Sequence, residues 1–141
     1  MAILNYTTQI NENKSVGEIQ TILARQGAKQ IVVDYENGFP SALNFQIIFN
    51  GQPVFFRLPC NVDGVHHSLC NAPKVPHTKR TKEQARRVAW RIIKDWIEAQ
   101  LAIVESRQAE MTEVFLPYAL DNKGKTFFHS FAEQRKMLTA G

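Results

Sequence analysis

The chain has 141 residues, 17 Lys or Arg against 13 Asp or Glu, a net charge of +4 and 44% hydrophobic residues. This length and balance suit one domain with a core of its own. No apolar run approaches the ~20 residues that cross a bilayer. MAILNYTTQINENK has no positively charged stretch ahead of its apolar residues, so no secretory signal is expected. The two cysteines are then expected to stay reduced in a cytoplasm.

In chain order, Ala2 to Thr8 (AILNYTT) is apolar and aromatic enough to predict a first strand. Ser15-Val-Gly-Glu18 has the form of a capping box and predicts a helix with Val16, Ile19, Ile22 and Leu23 at helical spacing. Gly27 ends it. Three strands follow: Lys29 to Glu36, Ala42 to Phe49 and Val54 to Leu58. Asn37-Gly38 and Asn50-Gly51 separate them. Type I′ turns need positive φ at both central residues, so each Asn-Gly predicts a hairpin. Pro53 is expected at a strand start or on a sheet edge. Residues 59–80 read as a long loop with a short helical turn near Val62 to Cys70.

Thr81-Lys-Glu-Gln84 is a second capping box. It opens a helix whose apolar face runs through Ala85, Val88, Ala89, Ile92, Ile93, Trp96, Ile97 and Leu101, reaching toward Glu110. Pro117 in VFLPY stops any helix before it. Thr126 to Phe131 reads equally as strand or helix, and the polar tail 132–141 is expected to fray. The expected fold is α+β, in a single domain spanning 1–141. An antiparallel meander of about four strands, in the order β-α-β-β-β-α, packs against one short and one long helix.

Charge is concentrated in residues 74–94. Lys74, Lys79, Arg80, Lys82, Arg86, Arg87, Arg91 and Lys94 face one acid there, Glu83. The block is +7 and the rest of the chain is −3. Cations in the first turns of a helix oppose its dipole, so an anion is expected to offset them. Arginine holds phosphate in bidentate fashion, and an aromatic neighbour can stack on a base. The expected phosphate site is therefore Lys79, Arg80, Lys82, Arg86, Arg87, Trp90, Arg91 and Lys94, with Trp90 near the surface and Trp96 in the core. The competing reading is a solvated helix face with pairs such as Arg91–Asp95 and Lys94–Glu98. Arg57, beside Phe55 and Phe56, is a secondary candidate; its other reading is an edge arginine packing its stem on Phe55.

Cys60, His66, His67, Cys70 and His77 are the zinc candidates, because thiolate and imidazole are the donors zinc prefers. Their C-x5-H-H-x2-C-x6-H spacing lacks the close pairs of common zinc fingers, so no metal is expected. No G-x-S-x-G, H-E-x-x-H, P-loop or G-x-G-x-x-G occurs, and neither an enzyme nor a cofactor is expected.

VAWRIIKDWIEAQ (Val88 to Gln100), VFLPYAL (Val114 to Leu120) and FRLP (Phe56 to Pro59) resemble small phage and prophage proteins. The resemblance covers most of the chain, from Asn5 to Tyr118. It implies a bacterial host cytoplasm and an accessory role in phage replication or counter-defence, and it carries over no functional residue. The expected partner is nucleic acid. Its alternatives are a small nucleotide signal, a bacterial defence protein, or a second copy paired antiparallel through the long helix, with Arg87 and Arg91 facing Glu98 or Glu105.

Overall fold

The computed structural model describes residues 2–140. The elements are α1 (Glu12–Arg25), β1 (Gln30–Glu36), β2 (Phe39–Phe49), β3 (Gln52–Pro59), α2 (Val62–Asn71), α3 (Lys82–Glu105), α4 (Met111–Phe115) and α5 (Phe127–Ala140). Short 3-10 turns lie at His77–Lys79 and Leu116–Tyr118. The class is α+β, with a three-stranded antiparallel sheet in the order β1-β2-β3.

Both Asn-Gly pairs form the expected turns. Asn37 and Gly38 have φ of 54° and 83°, and Asn50 and Gly51 have 52° and 78°. These set the register: Val33 faces Leu43, Ile31 faces Phe45, and Phe45 faces Phe56. Pro53 lies near the start of β3, which is an outer strand. Beyond β3, Ala119 bridges Phe56, and the Leu120 amide donates to the Phe55 carbonyl at 2.8 Å.

Period-2 alternation directs Leu43, Phe45, Ile47, Phe56 and Leu58 into the core. There they meet Val16, Ile19 and Leu23 of α1, Trp90, Ile97 and Leu101 of α3, and Phe115. Phe45 stacks on Phe56 at 5.0 Å, and Phe115 stands edge-on to both. Trp96 packs at the margin of this core, edge-on to Phe115 and Tyr118. A second cluster joins Leu69, Ala72, Val75 and Ala85 to Ala2, Ile3 and Tyr6.

Several expectations are corrected. Ala2 to Thr8 is not a strand: the segment turns at Asn5 (φ 66°) and packs beside α3. Gln84 of α3 fixes it by donating to the carbonyls of Tyr6 and Thr8, each at 2.9 Å. α1 starts earlier than its capping-box reading, on Asn11, whose side chain accepts from the Asn13 amide. Ser15 lies inside the helix and is buried. The 59–80 stretch holds the ten-residue α2, whose N-cap Asn61 accepts from the Gly64 amide at 2.9 Å. α3 ends at Glu105, and Arg107 at φ 63° breaks the continuation toward Glu110. Of the tail, residues 132–139 form an exposed part of α5, and Gly141 lies outside the described residues.

Candidate anion-binding site

α3 begins where expected: the Thr81 side chain accepts from the Gln84 amide at 3.1 Å. The cations that follow are largely neutralised from within the fold. α3 lies between α1 and α2, and α1 runs alongside in the same direction, so acids of α1 meet bases of α3 in sequence order. Arg86 Nε lies 3.2 Å from Glu12, and its guanidinium sits 3.7 Å over the Phe39 ring. Arg91 bonds Glu18 at 2.8 Å and Ser15 Oγ at 3.2 Å. Lys94 pairs with Glu98 and stands near Glu18 and Asp95. Arg87 is held by Glu83, and Lys82 by the exposed Asp63. Arg80 donates to the carbonyls of Val75 and Ala72, each at 3.1 Å, bracing the turn before α3. The anion that offsets this helix start thus includes Glu12 and Glu18, more than 70 residues away in sequence.

Trp90 is a correction. It is fully buried, and its indole donates to the Pro40 carbonyl at 3.1 Å. No base can stack on it. Arg57 lies on the sheet face away from the helices, where Nη1 reaches Asp34 at 2.6 Å and Asn44 at 3.2 Å. Asn44 also donates to Asp34 at 3.1 Å, so one residue from each strand joins the network. These contacts hold the Asp34 carboxyl below its ordinary range, Asn44 most strongly and Arg57 next. Neither reading of Arg57 anticipated this.

The Cys/His candidates do not converge. Among the described residues, no three His, Cys, Asp or Glu side chains form a metal-binding group. Cys60 is largely buried, and desolvation pushes its thiol up to about 12. Cys70 Sγ lies 3.6 Å from His66 Nε2, but that nitrogen is 3.0 Å from the Arg80 carbonyl. A carbonyl only accepts, so Nε2 carries the hydrogen there and has no lone pair with which to take the Cys70 proton. His67 contacts Asn71 instead.

Lys74 and Lys79 also have no carboxylate partner among the described residues, and a further open cationic surface is a groove between α1 and α3. It is a shallow, open groove of about 680 Å³ lined by Lys14, Gly17, Glu18, Thr21, Ile22, Arg25, Arg91 and Lys94. Lys14, Glu18, Thr21 and Arg25 fall at i, i+4, i+7 and i+11, one stripe of α1. Arg91 and Lys94 form the opposite wall. Lys14 and Arg25 are exposed, and neither has a carboxylate partner among the described residues. The sequence reading missed both, although their helical spacing was visible. Gly17 leaves the middle of the groove clear, with no atom within 4 Å of where its Cβ would stand.

Among the described residues, no helix is long and apolar enough to cross a membrane. No family model matches this chain, and no similar curated protein or solved structure was found.

Proposed function

We propose that the protein is a non-enzymatic accessory protein of phage type, acting in a bacterial cytoplasm, that holds nucleic-acid phosphates in the α1–α3 groove. One observation carries this reading: the groove is lined by four cations and one acid, and two of the cations, Lys14 and Arg25, stand exposed without partners among the described residues. Lys14 and Arg25 are eleven residues apart, which is ~16 Å of helix rise, so they can take phosphates about two or three nucleotides apart on an extended strand. Arg91 and Lys94 supply a field from the opposite wall, attenuated by Glu18 and Glu98. Nothing in the groove reads base edges, so little sequence preference is expected. A groove open along a helix favours a polymer over a nucleotide enclosed on all sides.

The test is fluorescence anisotropy with single-stranded DNA, duplex DNA and RNA across a salt series. Lys14→Glu/Arg25→Glu removes cations that hold no part of the fold together, whereas reversing Arg86 or Arg91 would strip ion pairs from the packed α1–α3 contact. Binding weakened in that variant, with a salt slope lower by about 1.4 to 1.8, supports the groove. Gly17→Gln fills the groove without changing charge and should also weaken binding. Unchanged binding in both variants would refute the site. Binding to a mononucleotide alone, retained at moderate salt, would favour sequestration of a small signal instead.

A further inference from the structure

A cavity of about 330 Å³ lies where the β1–β2 turn, the corner between β3 and α2, and the first turns of α3 meet. This is the low end of the range for small-molecule sites. It is about half the volume of the α1–α3 groove, more enclosed, and shares no residue with it. Its apolar surface comes from Phe39, Pro40 and Val62, and its charge from Glu36, Asp63, Lys82 and Arg86. The Arg86 side chain is only 19% exposed. One face of its guanidinium lies on the Phe39 ring, and Nε donates to Glu12. Its two Nη groups have no protein acceptor among the described residues. No buried side-chain nitrogen is left unpaired, so these groups open onto the cavity and are not sealed in protein. A guanidinium stacked on a ring and held at Nε is fixed in orientation, so its Nη–H groups form a ready fork for two oxygens.

Glu36 is its counterpart. It is exposed and has no cation within pairing distance among the described residues. It opposes Phe39 across the Asn37-Gly38 turn. Opposed residues of an antiparallel pair share a face, with their Cβ atoms about 5 Å apart. The acid therefore stands beside the ring that carries Arg86. Lys82 and Asp63 satisfy each other at 3.1 Å. The cavity is left with one open cationic fork and one open acid, and its four charged residues sum to zero.

We infer that this cavity binds a small zwitterion of the amino-acid class, with its carboxylate on Arg86 and its ammonium on Glu36. A phosphate does not match the lining. Its second charge would face Glu36 and Asp63, while Arg86 is already shared with Glu12. A simple carboxylate leaves Glu36 without a partner, and a simple amine leaves Arg86 without one. A molecule that carries both groups satisfies both. Phe39, Pro40 and Val62 are then left for its side chain, so apolar amino acids should bind best. No residue of the cavity lines the α1–α3 groove, so this inference stands apart from the nucleic-acid reading.

The test is isothermal titration calorimetry of the full chain with each standard amino acid, then with the des-amino acid and the decarboxylated amine of the best binder. At least one apolar amino acid should saturate the protein with a dissociation constant of about 1 mM or below. Its des-amino acid and its amine should each bind about tenfold more weakly, since each loses one charge-assisted contact. Glu36→Gln, at an exposed position, should abolish the preference for the amino acid over its des-amino acid and leave the unfolding midpoint unchanged. Arg86→Lys keeps a charge beside Glu12 but loses the fork, and should weaken amino acid and des-amino acid alike by about tenfold. If that variant unfolds, Glu36→Gln still decides the matter. No saturable binding of any amino acid up to about 10 mM would overturn the inference. So would a des-amino acid that binds as tightly as its parent, or a preference indifferent to Glu36→Gln. Tighter binding of inorganic phosphate or of a nucleoside monophosphate would equally overturn it.

Discussion

Trp90→Phe tests how α3 is seated. The phenyl ring keeps most of the apolar contact but removes the indole N–H that reaches the Pro40 carbonyl at 3.1 Å. Pro40 is buried, so its carbonyl loses its donor without ready access to water. Orphaning a buried acceptor costs about 1–3 kcal/mol. The smaller ring gives up roughly 50 Å² of apolar burial, about 1 kcal/mol at 25 cal/mol per Å². The expected loss is then about 2–4 kcal/mol. Urea unfolding should show it as a lower midpoint at constant slope, with Trp96 as the remaining fluorophore. A loss under about 0.5 kcal/mol, the range of surface substitutions, would refute the buried placement.

Glu12→Ala should destabilise by about 3 kcal/mol in chemical denaturation, because Arg86 keeps its charge in a largely buried position without its anion. Asp63→Ala, which breaks the exposed pair with Lys82, should cost under about 1 kcal/mol. Asp34 should titrate below ordinary carboxylates by NMR, and Asn44→Ala should raise it more than loss of Arg57 does. A carboxyl lowered on folding stabilises above its unfolded value, and that contribution fades as pH falls through the folded one. The Asp34 network should therefore weaken only in acid; a normal Asp34 titration would contradict it. At mildly alkaline pH a thiol reagent should modify Cys70, which is exposed, and leave Cys60 intact until the chain unfolds. Rapid reaction of both thiols in the native state would contradict the burial of Cys60.

The sheet was legible because its signals are local. Asn-Gly fixes a turn through the φ of two adjacent residues, and alternation fixes which face of Phe45 or Phe56 is buried. The start of α3 was legible for the same reason, through Thr81 and Gln84. α2 was underread because Val62, Val65 and Leu69 carry its spacing among residues that look like loop. The candidate site was misread where partners are remote. Nothing near Arg86 or Arg91 says that Glu12 and Glu18 neutralise them, so the block looked more available than it is. Trp90 sits among cations in sequence, yet its ring is directed to Pro40, a contact set by how the helix docks on the hairpin. Lys14 and Arg25 were passed over because neither belongs to a cluster in the linear chain; α3 turns their stripe into one wall of a groove.

The alignment of α1 with α3 also has a kinetic consequence. The ion pairs Glu12–Arg86 and Glu18–Arg91 close loops of more than 70 residues, whereas each hairpin closes over a handful. Loop entropy disfavours forming the distant pairs before the strands between them have collapsed. The hairpins are thus placed to nucleate folding, and the two helices to lock it late. Contacts made after the rate-limiting step govern how fast a protein comes apart rather than how fast it forms. The same carboxylates that quiet the basic helix would then act as a brake on unfolding, and removing Glu12 or Glu18 would release that brake while leaving the folding rate nearly unchanged.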